Sequence, residues 1–196
     1  MSPVIALPLP QVHLERDEFV FASLQGLVSE LSGPAALSAT VLTLREAQRA
    51  GDTVAWLPRA DSIFYPPDAE ASGVDLSAIT VVRVPQGEVP RAGELLVRLG
   101  GFGLIVIELC AGQRVPTPLL SRLLGLAQKH EAAVLFLTQS ERDAPSIDPL
   151  VGMRAWASAE RLGEGRFVLS IRALKDKRRA PGWERREVCR GPAGLR

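Results

Sequence analysis

Cysteine and histidine are almost missing from this chain, with two of each in 196 residues. Cys110 and Cys189 are too few for a disulfide framework and belong to no set of metal-ligand spacings. Cys110 ends an apolar run and reads as a small core residue. His13 lies in a proline-rich stretch, and His130 sits near a helix end where its cation favours the dipole. No metal site is expected. Long hydrophobic runs are also lacking. The apolar start, residues 1–10, is broken by Pro3, Pro8 and Pro10 and has no basic flank, so it fits neither a signal peptide nor a membrane span. A cytoplasmic protein without membrane contact is expected. There is no internal repeat, no low-complexity tract and, at a formal net charge of +1, no strong overall field.

The charge that is present is unevenly spread. From Arg172 to Arg196 there are nine basic residues against Asp176, Glu184 and Glu187, a local balance of +6, so the preceding residues sum to −5. A basic end on a slightly acidic body suits nucleic acid or an acidic partner. Hydrophobic residues at 46% and charged residues at 23% are ordinary for a globular domain with a sizeable core.

Short apolar runs alternate with helical patterns along the chain. Residues 27–31 read as a strand ending at the Ser32-Gly33-Pro34 turn, and a helix is predicted from Ala36 to Ala50 on Leu37, Val41, Leu44 and Ala47. Strands are predicted over 53–57, 79–84, 103–108 and 132–138, with helices over 92–99 and from the Pro116/Pro118 turn to His130. The proline-marked stretch from Pro58 to Pro67 reads as a loop with at most a helical turn. Such alternation predicts a parallel sheet covered by helices. After Gln139 comes a polar loop to Val151, with turn residues Asp143 and Asp148. Residues 154–162, read as an edge strand, and 166–174 then form a hairpin around Gly163-Glu164-Gly165, adding antiparallel strands at the C-terminal edge.

Residues 33–40, Gly-Pro-Ala-Ala-Leu-Ser-Ala-Thr, carry the outline of a phosphate loop, Gly-x-x-x-x-Gly-Lys-Ser/Thr, without its chemistry. Gly33 and Thr40 hold the outer positions. Ser38 replaces the second glycine, and Ala39 replaces the lysine that would neutralise the terminal phosphates.

With this order of elements the chain resembles the RecA-type recombinase core from about Gly26 to Val188, and more narrowly the short RecA-like accessory proteins called ImuA. The matching segments are residues 26–34, 40–44, 47–51, Leu104-Ile-Val-Ile-Glu108, Leu135-Phe-Leu-Thr-Gln139 and 174–181. The resemblance implies a RecA-like α/β core over 26–174, a mostly parallel sheet flanked by helices, between an N-terminal arm of 1–25 and a basic tail of 175–196. It puts the loop's magnesium-binding hydroxyl on Thr40, the acidic residue of the second nucleotide strand on Glu108 and the phosphate-sensing glutamine on Gln139. The water-positioning glutamate would fall near Ala60 and is missing. Lysines that reach a neighbour's ATP fall on Lys175 and Lys177. Losing the lysine removes a charge-assisted contact of about 1.5–3 kcal/mol. Little phosphoryl transfer is then expected, and no cofactor, although loop amides alone can hold ATP weakly.

In the recombinases a long glycine-rich loop follows the glutamine. Here only residues 140–151 fill that place, with Arg142 as the single basic residue. Candidate partner surfaces lie at the two ends. Phe19-Val20-Phe21-Ala22 matches a Phe-x-x-Ala docking pattern, offering Phe19 and Ala22. Arg178, Arg179, Trp183, Arg185 and Arg186 are of the types enriched in binding hot spots. By resemblance the partners are RecA recombinase and an ImuB-type Y-family polymerase homologue. The expected role is a non-catalytic adaptor in SOS-induced translesion synthesis. The alternatives are a weak ATPase in mixed RecA filaments, or a single-stranded DNA-binding module using the arginine-rich end.

Overall fold

A computed structural model describes residues 19–163 and 165–190. The elements run α1 (Phe21–Leu24), β1 (Val28–Ser32), α2 (Ala36–Arg49), β2 (Val54–Leu57), α3 (Pro66–Ala71), β3 (Ile79–Val81), α4 (Val89–Leu99), β4 (Leu104–Glu108), α5 (Thr117–His130), β5 (Ala133–Leu137), β6 (Met153–Gly163), β7 (Arg166–Asp176) and β8 (Glu184–Arg190). They build one eight-stranded sheet in the order β3-β2-β4-β5-β1-β6-β7-β8. β1 to β6 pair in parallel, while β7 and β8 turn back antiparallel.

The inner strands obey the two-residue period of a sheet buried on both faces. Leu104 and Val106 of β4, with Ala133 and Leu135 of β5, point into the layer shared with α1 and α2. Ile105, Ile107, Val134 and Phe136 point the other way, into the layer shared with α4 and α5. Both layers are needed, since β5 and all but the last residue of β4 are apolar.

β1 breaks this rule at Glu30, a carboxylate with no exposed surface in the middle of the sheet. Its register partner on β6 is Arg154, also buried, with its Nε 3.7 Å from the Glu30 carboxylate. The remaining valences of both go to the loop between β5 and β6. Glu30 accepts from the Thr138 hydroxyl and the Ile147 amide, each at 3.0 Å. The Arg154 guanidinium donates to the carbonyls of Ala144 and Glu141. Asp148 locks the same loop to α5 by accepting from the Thr117 hydroxyl at 2.6 Å, a bond that holds its carboxyl below the usual range. The loop is thus pinned from underneath by two charges.

Two expectations need correction. The strand beginning near Arg154 is not an edge strand; β6 lies between β1 and β7. The basic tail expected from 175 is largely sheet, because β7 runs on to Asp176 and β8 supplies the outer strand. β8 escapes a hydrophobic-pattern reading because ion pairs dock it on α2. Arg185 bridges Glu46 and Glu187 at 2.7 Å each, and Glu187 returns to Arg45 at 3.1 Å. Residues 1–18 and 191–196 lie outside the described residues.

Removing one member of a buried ion pair strands the other, at a cost of about 3–5 kcal/mol. Arg154→Leu is therefore expected to lower stability by that order in urea unfolding, while the double variant Glu30→Leu/Arg154→Leu loses less. A double variant weaker than the single would contradict the pairing.

Candidate functional site

Open α/β sheets bind ligands outside the carboxyl ends of their strands. Here a cleft of about 310 Å³ lies at the ends of β1, β4 and β5, bordered by Gly33, Pro34, Arg59, Glu108, Gln139 and Trp156. Three sequence-derived positions, Gly33, Glu108 and Gln139, meet in it. Ser38, Ala39 and Thr40 do not line it.

The reason is the length of the turn after β1. A phosphate loop needs its central residues unwound, so that their amides converge on the anion. In this chain α2 already begins at Ala36, leaving only residues 33–35 as turn. Pro34 has no amide proton, the Ala35 amide donates to the Ala157 carbonyl of β6 (3.2 Å), and the Ala36 amide donates to Gly33 (3.1 Å). Ala39 is in the helix, fully buried in the core. Thr40 follows it, and its hydroxyl donates to the Ala36 carbonyl at 2.9 Å, one turn back. The expectation that Thr40 presents a magnesium-binding hydroxyl is therefore corrected, since that group points into its own helix. Ser38 is exposed.

Gly33 is required by space as well as by conformation. Its φ of +107° is a region that L side chains rarely adopt. A Cβ there would collide with the Ala157 carbonyl and sit 3.0 Å from the Trp156 ring.

Glu108 closes the opposite wall. It is almost fully buried, and one carboxylate oxygen accepts from both the Trp56 indole and the Ser62 hydroxyl, each at 2.7 Å. Arg59 lies 3.9 Å from its other oxygen and 2.9 Å from Asp61. Asp61 stands next to Ala60, where the resemblance left the catalytic glutamate missing, and its carboxylate is engaged by Arg59. The Ala60 amide donates to Gln86. Gln139 sits exposed just beyond β5, at the cleft's lip. With Arg59 as its one cation against Glu108 and Glu141, the lining does not favour a polyphosphate. ATP with magnesium would have Arg59 and the first-turn amides of α2 for its phosphates and a Glu108 already committed to two donors, so the residues present fit it poorly.

Lys175 and Lys177 do not line the cleft. Lys175 is level with Arg154 and Glu30, whereas the cleft is level with Ser32 and Trp156. The Lys175 ammonium donates to the Pro149 carbonyl at 3.1 Å, and burial lowers its pKa. Lys177 is exposed, and its amide donates to Gly152.

The residues proposed as partner contacts are mostly spent inside the fold. Phe19 is fully buried among core residues, so it cannot serve as a protruding anchor, whereas Ala22 is exposed. Asp176 gathers the connection between β7 and β8. It accepts from the amides of Arg178 and Arg179 and from the Trp183 indole (3.0 Å), and it pairs with the Arg179 side chain at 3.3 Å. Arg179 also lies over the Trp183 ring, 5.0 Å from its centroid. The Arg178 guanidinium donates to the carbonyls of Ser23 and Gln25. Arg185 is buried and donates to the Phe19 carbonyl (2.8 Å). Of that group Arg186 alone remains fully exposed on a strand. Residues missed from the sequence are Glu30, Arg154, Arg59 and Trp156. A lone glutamate inside an apolar strand was the available signal for the first.

No protein-family model matches the chain. Protein RecA of Clavibacter michiganensis subsp. michiganensis (strain NCPPB 382) is 32% identical over 111 residues, which are 55% of this chain and 30% of RecA. The chain therefore matches under a third of that relative's length. Among solved structures, the RadB recombinase superposes with a TM-score of 0.63 at 19% identity, covering 83% of this chain and 87% of that one. The sequence similarity and the shared fold define a RecA-like protein. Among the described residues no helix is long and apolar enough to cross a membrane, and no cluster of His, Cys, Asp or Glu could hold a metal ion.

Ala39→Lys would restore the phosphate-loop lysine in sequence but bury a cation in the core, at a cost of several kcal/mol. The variant is expected to melt well below the wild type and to gain no ATP affinity. ATP-dependent stabilisation of the variant in a melting assay would contradict the helix start at Ala36.

Proposed function

We propose that this protein is a non-catalytic RecA-like adaptor acting in SOS-induced translesion DNA synthesis, of the ImuA kind. It bridges RecA recombinase and an ImuB-type Y-family polymerase homologue by protein–protein contacts. The observation that carries this reading is the wound-up turn at Gly33–Ala35, which gives the position of a nucleotide site to internal hydrogen bonds. A fold retained while its phosphate chemistry is lost is suited to contacts with partners.

The cleft's rim supports the same reading. Ile63 and Tyr65 are 76% and 60% exposed, beside an apolar groove lined by Leu37, Val41, Phe64 and Phe167. Exposed apolar side chains clustered at a groove mark interaction surfaces. They provide a contact area for a recombinase protomer, in place of the buried Phe19. Immobilised protein is expected to retain RecA from the same host and an ImuB-like protein. Ile63→Asp/Tyr65→Asp is expected to weaken RecA retention at least tenfold. Retention of neither partner would overturn the reading.

A second reading, a weak ATPase interface in mixed filaments, draws on the placing of Lys175 and Lys177 away from their own cleft. On that reading, Lys175→Ala/Lys177→Ala changes the hydrolysis rate of a mixture with RecA. An unchanged rate removes it.

A further inference from the structure

On the face of the sheet away from α2, helices α4 and α5 pack against each other and the strands. α4 buries Val89, Gly93 and Val97, and α5 buries Leu119, Leu123 and Ala127, each set at four-residue steps along one side. A Cβ on Gly93 would come 2.5 Å from the Ile107 side chain, so α4 rests with its backbone against β4. Both helices keep an outer side. Between them runs a groove of about 550 Å³, bordered by Arg91, Glu94, Leu95, Arg98, Pro118 and Arg122.

Glu94 is the groove's single carboxylate, and it is almost fully buried. It accepts from Arg98 at 2.7 Å and from Arg122 at 3.0 and 3.2 Å, and the bond from Arg122 holds its carboxyl below the usual range. Arg91, exposed one turn before, is not among its partners. Glu88 is exposed and does not line the groove. Three guanidinium cations therefore share one carboxylate that is already bonded twice over, and the lining stays positive. Apolar surface lies beside this charge. Leu95 and Leu99, one turn apart on α4, are 56% and 74% exposed and belong to neither core layer. With Arg91 they form a stripe at four-residue spacing along the helix.

We infer that the groove between α4 and α5 binds an acidic amphipathic segment of a partner protein, whose apolar residues cover Leu95 and Leu99 while its carboxylates meet Arg91, Arg98 and Arg122. Charge complementarity selects this occupant. A guanidinium carries five N–H groups, and Glu94 takes one from Arg98 and two from Arg122, so donors remain on both for an incoming carboxylate. A second copy of the chain would bring its own arginines to the contact. Nucleic acid would satisfy the arginines, but no aromatic ring lines the groove for a base to stack on, and the two leucines would stay in water. The Ile63–Tyr65 rim belongs to the other side of the sheet, where Phe64 packs in the α2 layer. The groove is thus a separate surface, and it stands whether or not that rim receives a recombinase.

The test selects from a library of displayed random peptides on the immobilised full chain, then measures the strongest binder as a labelled synthetic peptide by fluorescence anisotropy. Enrichment of sequences that combine Asp or Glu with Leu, Ile or Phe is expected. Leu95→Asp/Leu99→Asp is expected to weaken the selected peptide at least tenfold. Arg91→Glu leaves the bonds to Glu94 in place and is expected to weaken it about tenfold at low salt, chiefly through slower association, and far less at about 0.5 M salt. Ile63→Asp/Tyr65→Asp is expected to leave peptide binding unchanged, which separates this groove from the recombinase contact. Circular dichroism melting of each variant establishes that it is folded. No enrichment, enriched peptides without carboxylates, indifference to both α4 variants, an equal loss in the Ile63/Tyr65 control, or displacement of the peptide by an oligothymidylate would overturn the inference.

Discussion

The turn after β1 must pass β6 at a distance that leaves no room for a side chain. Gly33 is pressed against the Ala157 carbonyl and the Trp156 ring, and the Ala35 amide is drawn to that same carbonyl. Much follows from this contact. It fixes the register between the parallel sheet and its antiparallel extension, and it ends the turn early enough for α2 to begin at Ala36. In that turn Pro34 has no amide proton, and the Ala35 amide is already bonded to Ala157. What remains is a cleft at the carboxyl ends of β1, β4 and β5, with Glu108 held by Trp56 and Ser62.

A small set of charged side chains is used inside the fold. Glu30 and Arg154 hold down the loop that follows β5, Glu108 ties Trp56 to Ser62 in the cleft wall, and Arg185 holds β8 on α2. Each replaces apolar packing with a directional bond, where breaking one partner is costly and geometry is exacting. In the C-terminal strands Arg172, Arg186 and Arg190 remain exposed. Basic charge counted along the sequence therefore overstated the exposed charge at this end of the chain.

The parallel core was legible in the sequence because its strands are apolar runs and α2 and α5 carry helical periodicity with turn residues at their starts. The element positions for β1, β4 and β5 agree to within a residue or two. β8 was not legible, because its inward residues Arg185 and Glu187 dock by ion pairs and give no hydrophobic alternation. α3 was read as loop since Pro66 and Pro67 dominate it, though proline is well suited to a first helical turn. The site positions Gly33, Glu108 and Gln139 came from motif spacing, and they do share a cleft. Thr40 matched the same spacing and lies elsewhere, because spacing along a chain does not report whether residues are loop or helix. Phe19 likewise matched a docking pattern and is a core residue.

The central claim is that residues 33–40 form a structural turn and helix start without a phosphate site. Thermal unfolding in the presence of Mg–ATP tests it most directly. A ligand at a hundred times its dissociation constant stabilises by about 2.7 kcal/mol, a shift of several degrees for a domain of this size. With Mg–ATP at about 5 mM, enough to reach that ratio for a site of about 50 µM affinity, the melting temperature should be the same as with buffer and magnesium alone. A rise of several degrees, specific to ATP over an equal concentration of inorganic phosphate, would contradict it.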